Sequence, residues 1–292
     1  LTSVTTASGV LSLNFSDSPP FGDLGNITAV GMVVAFFYSV GFLPAFVAIP
    51  DPRGVPQASV NNWGPGFLPA VFQGTPFNSK QPILNLQPPK SISEKTDIAA
   101  RDLLKLLNDQ HLKRNPDDAN LSARIASYEL AFRMQTAVPE VIRFKDETAA
   151  TQQLYGLHDS KTKAFGMQLL AARRFVEKGV RFVKIMHGAG DAGAWDAHFN
   201  VKSNHTELAA QVDKPVAGLL ADLKQRGLLE ETIVVFATEF GRTPGNQEGL
   251  GRDHHPYGFS VWLAGGGIKG GVTHGATDEI GFHAAESPHY VT

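Results

Sequence analysis

Between residues 180 and 264 the chain carries three short apolar runs, at 180–186, 232–237 and 259–264, each the length of a strand. An amphipathic stretch at 208–226 stands between the first two and closes at Gly227, a residue type that readily ends helices. Strand, helix, strand in that order predicts an α/β fold: a doubly wound, mostly parallel sheet flanked by helices. Ligands of such sheets gather beyond the carboxyl ends of the strands. Candidate functional residues are therefore sought in the segments that leave the strands.

The rest of the chain divides by texture. Residues 1–92 form a loop-rich segment, dense in Gly, Pro, Ser and Asn, with turn chemistry at Asp51-Pro52-Arg53-Gly54 and at Asn61-Asn62-Trp63-Gly64-Pro65-Gly66. Residues 27–50 carry no charge and are long enough to span a bilayer. Gly31, Gly41 and Pro44 interrupt them, however, and Phe46-Val47-Ala48-Ile49 before Pro50 reads as a buried strand running into a loop. A membrane span is not expected. Residues 93–178 read as a helical scaffold: Ile98, Leu103, Leu104, Leu106 and Leu107 recur at helix spacing, then Leu121, Ile125, Tyr128, Leu130, Ala131 and Met134. Ser91-Ile92-Ser93-Glu94 has capping-box spacing, Pro116-Asp117-Asp118 separates two helices, and 165–176 is a third amphipathic run. Residues 179–292 are the α/β half with the candidate site. Because the chain starts at Leu1 and stops at Thr292 without a finishing element, both ends are expected to be cut.

Charge and composition narrow the chemistry. A formal net charge of -2 gives no basic field for nucleic acid, so any anion must be held by a local site. The absence of Cys removes disulfides, thiolate nucleophiles and Cys-type zinc sites together. A metal would need His, Asp and Glu. Eight of the 10 histidines lie between His187 and His289, several beside carboxylates just after expected strands.

Three clusters stand out. In Ala194-Trp195-Asp196-Ala197-His198, an Asp and a His two apart in an irregular segment can turn toward one cation, or Asp196 can simply cap the next helix. In Thr238-Glu239-Phe240-Gly241-Arg242, a carboxylate ending an apolar strand needs a partner, since a lone buried charge is very costly. Arg242 can be that partner, or it can clamp a phosphate or sulfate by parallel hydrogen bonds. In Gly251-Arg252-Asp253-His254-His255-Pro256, adjacent side chains of extended backbone point opposite ways. His254 is taken as the ligand, Asp253 and His255 as groups behind it that orient a ligand or touch substrate, and Arg252 as a second anion-binding candidate. The Gly-rich run 265–271 lacks P-loop spacing and reads as a turn, with Lys269 a minor anion contact. His274, His283 and His289 are assigned to the surface.

These motifs together resemble the sulfatase-like family known as domain of unknown function 1501, placed in the alkaline-phosphatase superfamily. The resemblance runs through Gly179-Val180-Arg181-Phe182-Val183, Trp195-Asp196-Ala197-His198, Glu239-Phe240-Gly241-Arg242-Thr243-Pro244, Gly251-Arg252-Asp253-His254 and residues 263–278. Upstream it includes residues 126–135, 67–77 and Asp51-Pro52-Arg53-Gly54. It implies an alkaline-phosphatase-like fold with a divalent metal centre (Zn, Mn, Ca or Mg) at the carboxyl edge of the sheet, and hydrolysis of sulfate or phosphate esters. It makes Asp196, His198 and His254 ligands of one metal and Glu239 the carboxylate of a neighbouring position. Phe240 stands where many relatives have a second His, leaving that neighbouring position incomplete. The family's nucleophile comes from an N-terminal part that residues 1–40 do not resemble, so no catalytic nucleophile is assigned. The implied partner is a small anionic ester or a sulfated carbohydrate, and the implied location is periplasmic or extracytoplasmic. A non-catalytic carbohydrate- or sulfate-binding protein is the alternative.

Overall fold

A computed structural model describes residues 46–54, 56, 58–66, 68, 72–77, 91–116, 118, 121, 122, 125, 141, 143–188, 194–238 and 240–288. Strand β1, Phe46–Ile49, comes from the end of the charge-free stretch. Its Val47, Ala48 and Ile49 are fully buried, as an apolar run between two neighbours should be. Pro50, lacking an amide hydrogen, cannot extend the ladder. Strand β2 is Thr75–Pro76 and β3 is Phe182–Ile185; both pair with β1 in parallel, in the order β2-β1-β3. Register is continuous from Phe46 opposite Phe182 to Ile49 opposite Ile185.

Helix α1, Glu94–Arg114, starts where the expected helix starts, but its N-cap is Ser93, whose side chain accepts from the Thr96 amide. The capping-box spacing from Ser91 pointed two residues too early; the cap falls where a hydroxyl reaches an amide three residues on. His111, Lys113 and Arg114 in the last turn suit the negative end of the helix dipole. The leucines that revealed the helix, Leu103, Leu104, Leu106 and Leu107, are about half exposed. Expected helical residues 126–135 lie outside the described residues.

Helix α2, Ala149–Leu154, leads to α3, Lys163–Glu177, which spans the expected amphipathic run. Two apolar clusters sit on its two sides. One joins Val47, Ile49 and Phe77 to Val141, Ala171, Ala172 and Phe175, fixing α3 to the sheet. The other joins Phe165, Leu169 and Leu170 to Tyr155 and to Val212, Leu219 and Leu223 of α4, Val201–Gln225. Close approach is secured by glycine: a Cβ at Gly166 would stand 2.2 Å from the Tyr155 carbonyl oxygen, and one at Gly218 would stand 2.4 Å from that of Leu154. Helix α4 begins seven residues before the apolar periodicity at 208 does, because residues 201–207 are almost wholly polar.

A buried ion network ties these helices. Arg173, only 2% exposed, donates to Glu147, Glu177 and Asp222. Arg226 joins Asp222 and Glu177, and the Tyr155 hydroxyl donates to Asp222. Burial, reinforced by the Asp222 carboxylate, pushes the Tyr155 phenol well above its ordinary range.

The second half departs from the expected parallel sheet. Strand β4, Ile233–Phe236, pairs antiparallel with β7, Trp262–Gly265, and neither joins β1 or β3 among the described residues. Nor is β4 buried as expected: Ile233 and Val235 are more than half exposed, while the alternate Val234 packs on the second cluster. Two further antiparallel pairs follow, β5 (Gly241–Arg242) with β6 (His254–His255), and β8 (Ala276–Thr277) with β9 (Ala284–Glu286). The observed fold is mixed α/β, with a small parallel sheet. No helix among the described residues is long and apolar enough to cross a membrane.

Candidate metal centre and strand-end cavity

Three loops meet at Asp196. The segment 196–201 lies against 250–252, held by hydrogen bonds from the Arg252 amide to the Ala197 carbonyl and from the Val201 amide to the Leu250 carbonyl. Gly251 permits this contact, since a Cβ there would overlap the His198 carbonyl, 1.6 Å from its oxygen. Pairing of β5 with β6 sets Arg242 directly opposite His254, and directly opposed residues project to one face. Arg242 Nη2 donates to Asp196 Oδ1 at 2.5 Å, His254 Nε2 lies 2.7 Å from the same oxygen, and His198 Nε2 lies 3.0 Å from it.

Ligand atoms of Asp196, His198 and His254 all lie within 4.8 Å of one another. One carboxylate and two imidazoles are a donor set suited to zinc or a similar cation, with positions left for water or substrate. The surroundings fit that use. His198 Nδ1 lies 2.8 Å from Gln247 Oε1, so each nitrogen of this ring faces an oxygen acceptor and needs a hydrogen or a cation between. The His254 backbone amide donates to Asp253 Oδ1 at 2.7 Å, and that carboxylate lies 3.9 Å from His198 Nδ1. Burial raises the Asp196 carboxyl, but His254 and the Arg242 guanidinium outweigh it and hold the group below its ordinary value. Asp196 is thus an anion ready to ligate, and the half-open His254 side chain leaves the cluster accessible.

Other expected site residues are placed differently. Glu239 lies outside the described residues. Arg242 turns to Asp196, a partner the sequence reading did not offer it. The Arg252 guanidinium turns to Asn246, and its backbone carbonyl accepts from Arg242. His255 does not stand behind His254: it is 2% exposed on the opposite face, with its ring against Phe282 and Tyr257 and its Nε2 on the Phe282 carbonyl. Alternation along β6 sends neighbouring rings to opposite sides. Lys269, His274 and His283 are exposed, and His289 lies outside the described residues.

A second polar constellation sits at the carboxyl ends of β1 and β3. The Gln168 amide reaches the carbonyls of Ile49, Pro50 and Met186, binding the two strand ends together. Just beyond, Arg53 grips the buried Asp51 carboxylate through Nε and Nη2 at 2.9 and 2.6 Å, and its Nη1 donates to Gln211 at 2.7 Å. Burial raises the Asp51 carboxyl, yet Arg53 and the amides of Arg53 and Gly188 hold it below its ordinary value. Trp195 Nε1 donates to His187 Nδ1 at 3.0 Å, leaving the hydrogen of this neutral ring on Nε2, which faces Gln211 Oε1 at 3.2 Å. Burial and the Arg53 charge push the His187 pKa down. Trp195 thus joins this constellation to the Asp196 loop. The signal for it was available: Asp51 and His187 follow β1 and β3, where the strand-end rule says to look, but Asp51-Pro52-Arg53-Gly54 reads locally as a turn.

A family model described as "Protein of unknown function (DUF1501)" matches residues 35–292. The chain belongs to this family. The DUF1501 match covers both the metal-type cluster and the strand-end constellation. A model of the MMPL family matches residues 2–64, a short similarity that overlaps the DUF1501 region. No curated protein and no solved structure matches the chain.

Proposed function

We propose that this DUF1501 chain belongs to a metal-dependent hydrolase of sulfate or phosphate esters, built on an alkaline-phosphatase-like, doubly wound sheet and working outside the cytoplasm. The observation that carries the reading is the meeting of Asp196, His198 and His254 within 4.8 Å, with Arg242 on the same carboxylate oxygen. The location rests on the family resemblance alone; the sheet architecture rests on it too, supported by parallel pairing of β1 with β2 and β3. Asp196, His198 and His254 would hold a divalent cation, which would supply charge stabilisation to an ester oxygen. Arg242 adds a planar donor beside it, the geometry that grips tetrahedral oxyanions. Gln247 meets the far nitrogen of the His198 ring and orients it from behind, as groups behind metal ligands commonly do.

The test is a titration of the full chain with Zn²⁺ and Mn²⁺ by calorimetry, followed by assay on aryl phosphate and aryl sulfate esters with and without chelator. Stoichiometric binding lost in His254→Ala, with chelator-sensitive hydrolysis, is the expected result. Absence of binding sinks the metal reading. Binding without turnover of any ester favours the alternative, a non-catalytic sulfate- or carbohydrate-binding protein.

A further inference from the structure

The strand-end constellation opens into a cavity of about 280 Å³, separate in its lining from the Asp196 cluster. Its wall combines Asp51 and Arg53 from the end of β1, Lys161 from before α3, and Glu207 and Gln211 from α4. Two cationic side chains face two carboxylates, so the formal charge of the wall cancels, and the Asp51–Arg53 pair is already satisfied internally. An anion therefore finds no net field here, in contrast to a cation-loaded Asp196 site. A purely apolar ligand would strip water from these groups without replacing its hydrogen bonds, at a cost of several kcal/mol. What the cavity offers is a set of planar donors and acceptors beside two aromatic rings, Phe165 and His187, packed edge to face. Gln211, its oxygen taken by Arg53 and His187, has its amide hydrogens to give. The volume is just under the roughly 300–1,000 Å³ of common small-molecule sites, room for one substituted six-membered ring.

We propose that this cavity binds one ring of an uncharged polyhydroxylated ligand, a monosaccharide unit either free or at the end of a longer glycan. Its hydroxyls are read by Gln211, Arg53 and Glu207, and its C–H face lies toward Phe165. The Asp51–Arg53 clasp and the Trp195–His187 hydrogen bond hold Arg53 and Gln211 in place before the ligand arrives, which lowers the ordering cost of binding. The inference does not depend on the metal cluster.

Saturation-transfer NMR on the full chain, in excess EDTA, tests it with the methyl glycosides of glucose, galactose, mannose, xylose and fucose. Transfer to the ring protons of at least one glycoside is expected, with affinity reduced about tenfold in Gln211→Ala and in Glu207→Gln, the loss of one hydrogen bond to a good partner. Glu207 is exposed on α4, so its variant keeps the fold intact even if Gln211→Ala does not, and thermal melts check both. Absence of transfer from all five probes overturns the proposal. So does transfer undiminished in both variants, or competitive displacement of the glycoside by inorganic sulfate. Because chelator is present throughout, none of these outcomes bears on the hydrolase reading, which the metal titration decides separately.

Discussion

Gly251 and Gln247 matter to the Asp196–His198–His254 cluster although neither is one of its three candidate ligands. Gln247 meets His198 Nδ1 and so fixes which ring nitrogen turns to Asp196. Replacing it with Leu is expected to lower Zn²⁺ affinity by about 10–100-fold, the usual effect of removing a group that orients a ligating His. Calorimetric titration measures this, and unchanged affinity would show that the Gln247 contact is incidental. Gly251→Ala is expected to cost more, because its Cβ must push the His198 backbone aside. At the other constellation, His187 predicts a pH effect. Its folded pKa lies below the ordinary 6.5, so the unfolded chain takes up the proton first. Its contribution to stability is then full above 6.5 and is lost as pH falls through the folded value. Urea melts across that range should show falling stability, with a shallower slope in His187→Gln. Asp51, held below the carboxylate range by Arg53 despite its burial, keeps its contribution until more acidic pH, so the two losses separate.

Among elements, the strongest mutual dependence lies between α3, α4 and the Glu147 segment. Arg173 and Arg226 both reach Glu147, Glu177 and Asp222, but Arg226 is partly exposed and stands 3.8 Å from Glu147, whereas Arg173 is buried and donates to all three at 2.9 Å or less; Glu147 and Asp222 are themselves nearly buried. Arg173→Met keeps the bulk but leaves those carboxylates short of a partner. Destabilisation of about 3–5 kcal/mol is expected from breaking a buried network on one side only. Chemical denaturation would read it, and a loss under about 1 kcal/mol would show that Arg174 and Arg226 suffice. At this scale local patterning was informative for α3, whose face is strongly amphipathic, and for β1, an apolar tetrapeptide stopped by Pro50. It was misleading for β4. An unbroken apolar run suggests burial on both faces, yet only Val234 turns to the core. Period alone cannot tell a strand's neighbours, so β4 and β7 pair antiparallel where parallel neighbours were expected.

For the molecule as a whole, a cation bound only by the folded chain must raise its stability. With free Zn²⁺ at about 100 times Kd, the gain expected is about 2.7 kcal/mol. Thermal melts should therefore rise with metal concentration in the unmodified chain and stay flat in His254→Ala. The sequence by itself determined the residue types of the Asp196 cluster, the α/β character of the chain and the helices and strands whose apolar rhythm is local. Tertiary structure alone decided that Asp196, 46 residues from Arg242 and 58 from His254, shares one oxygen with both. It also decided that His255 turns into the core, and that Asp51 and His187, far apart in the chain, line one cavity. The physical reason is that side-chain periodicity reports only on which face of its own element a residue occupies. Which faces meet depends on strand pairing and helix packing between distant segments, and no local pattern encodes that.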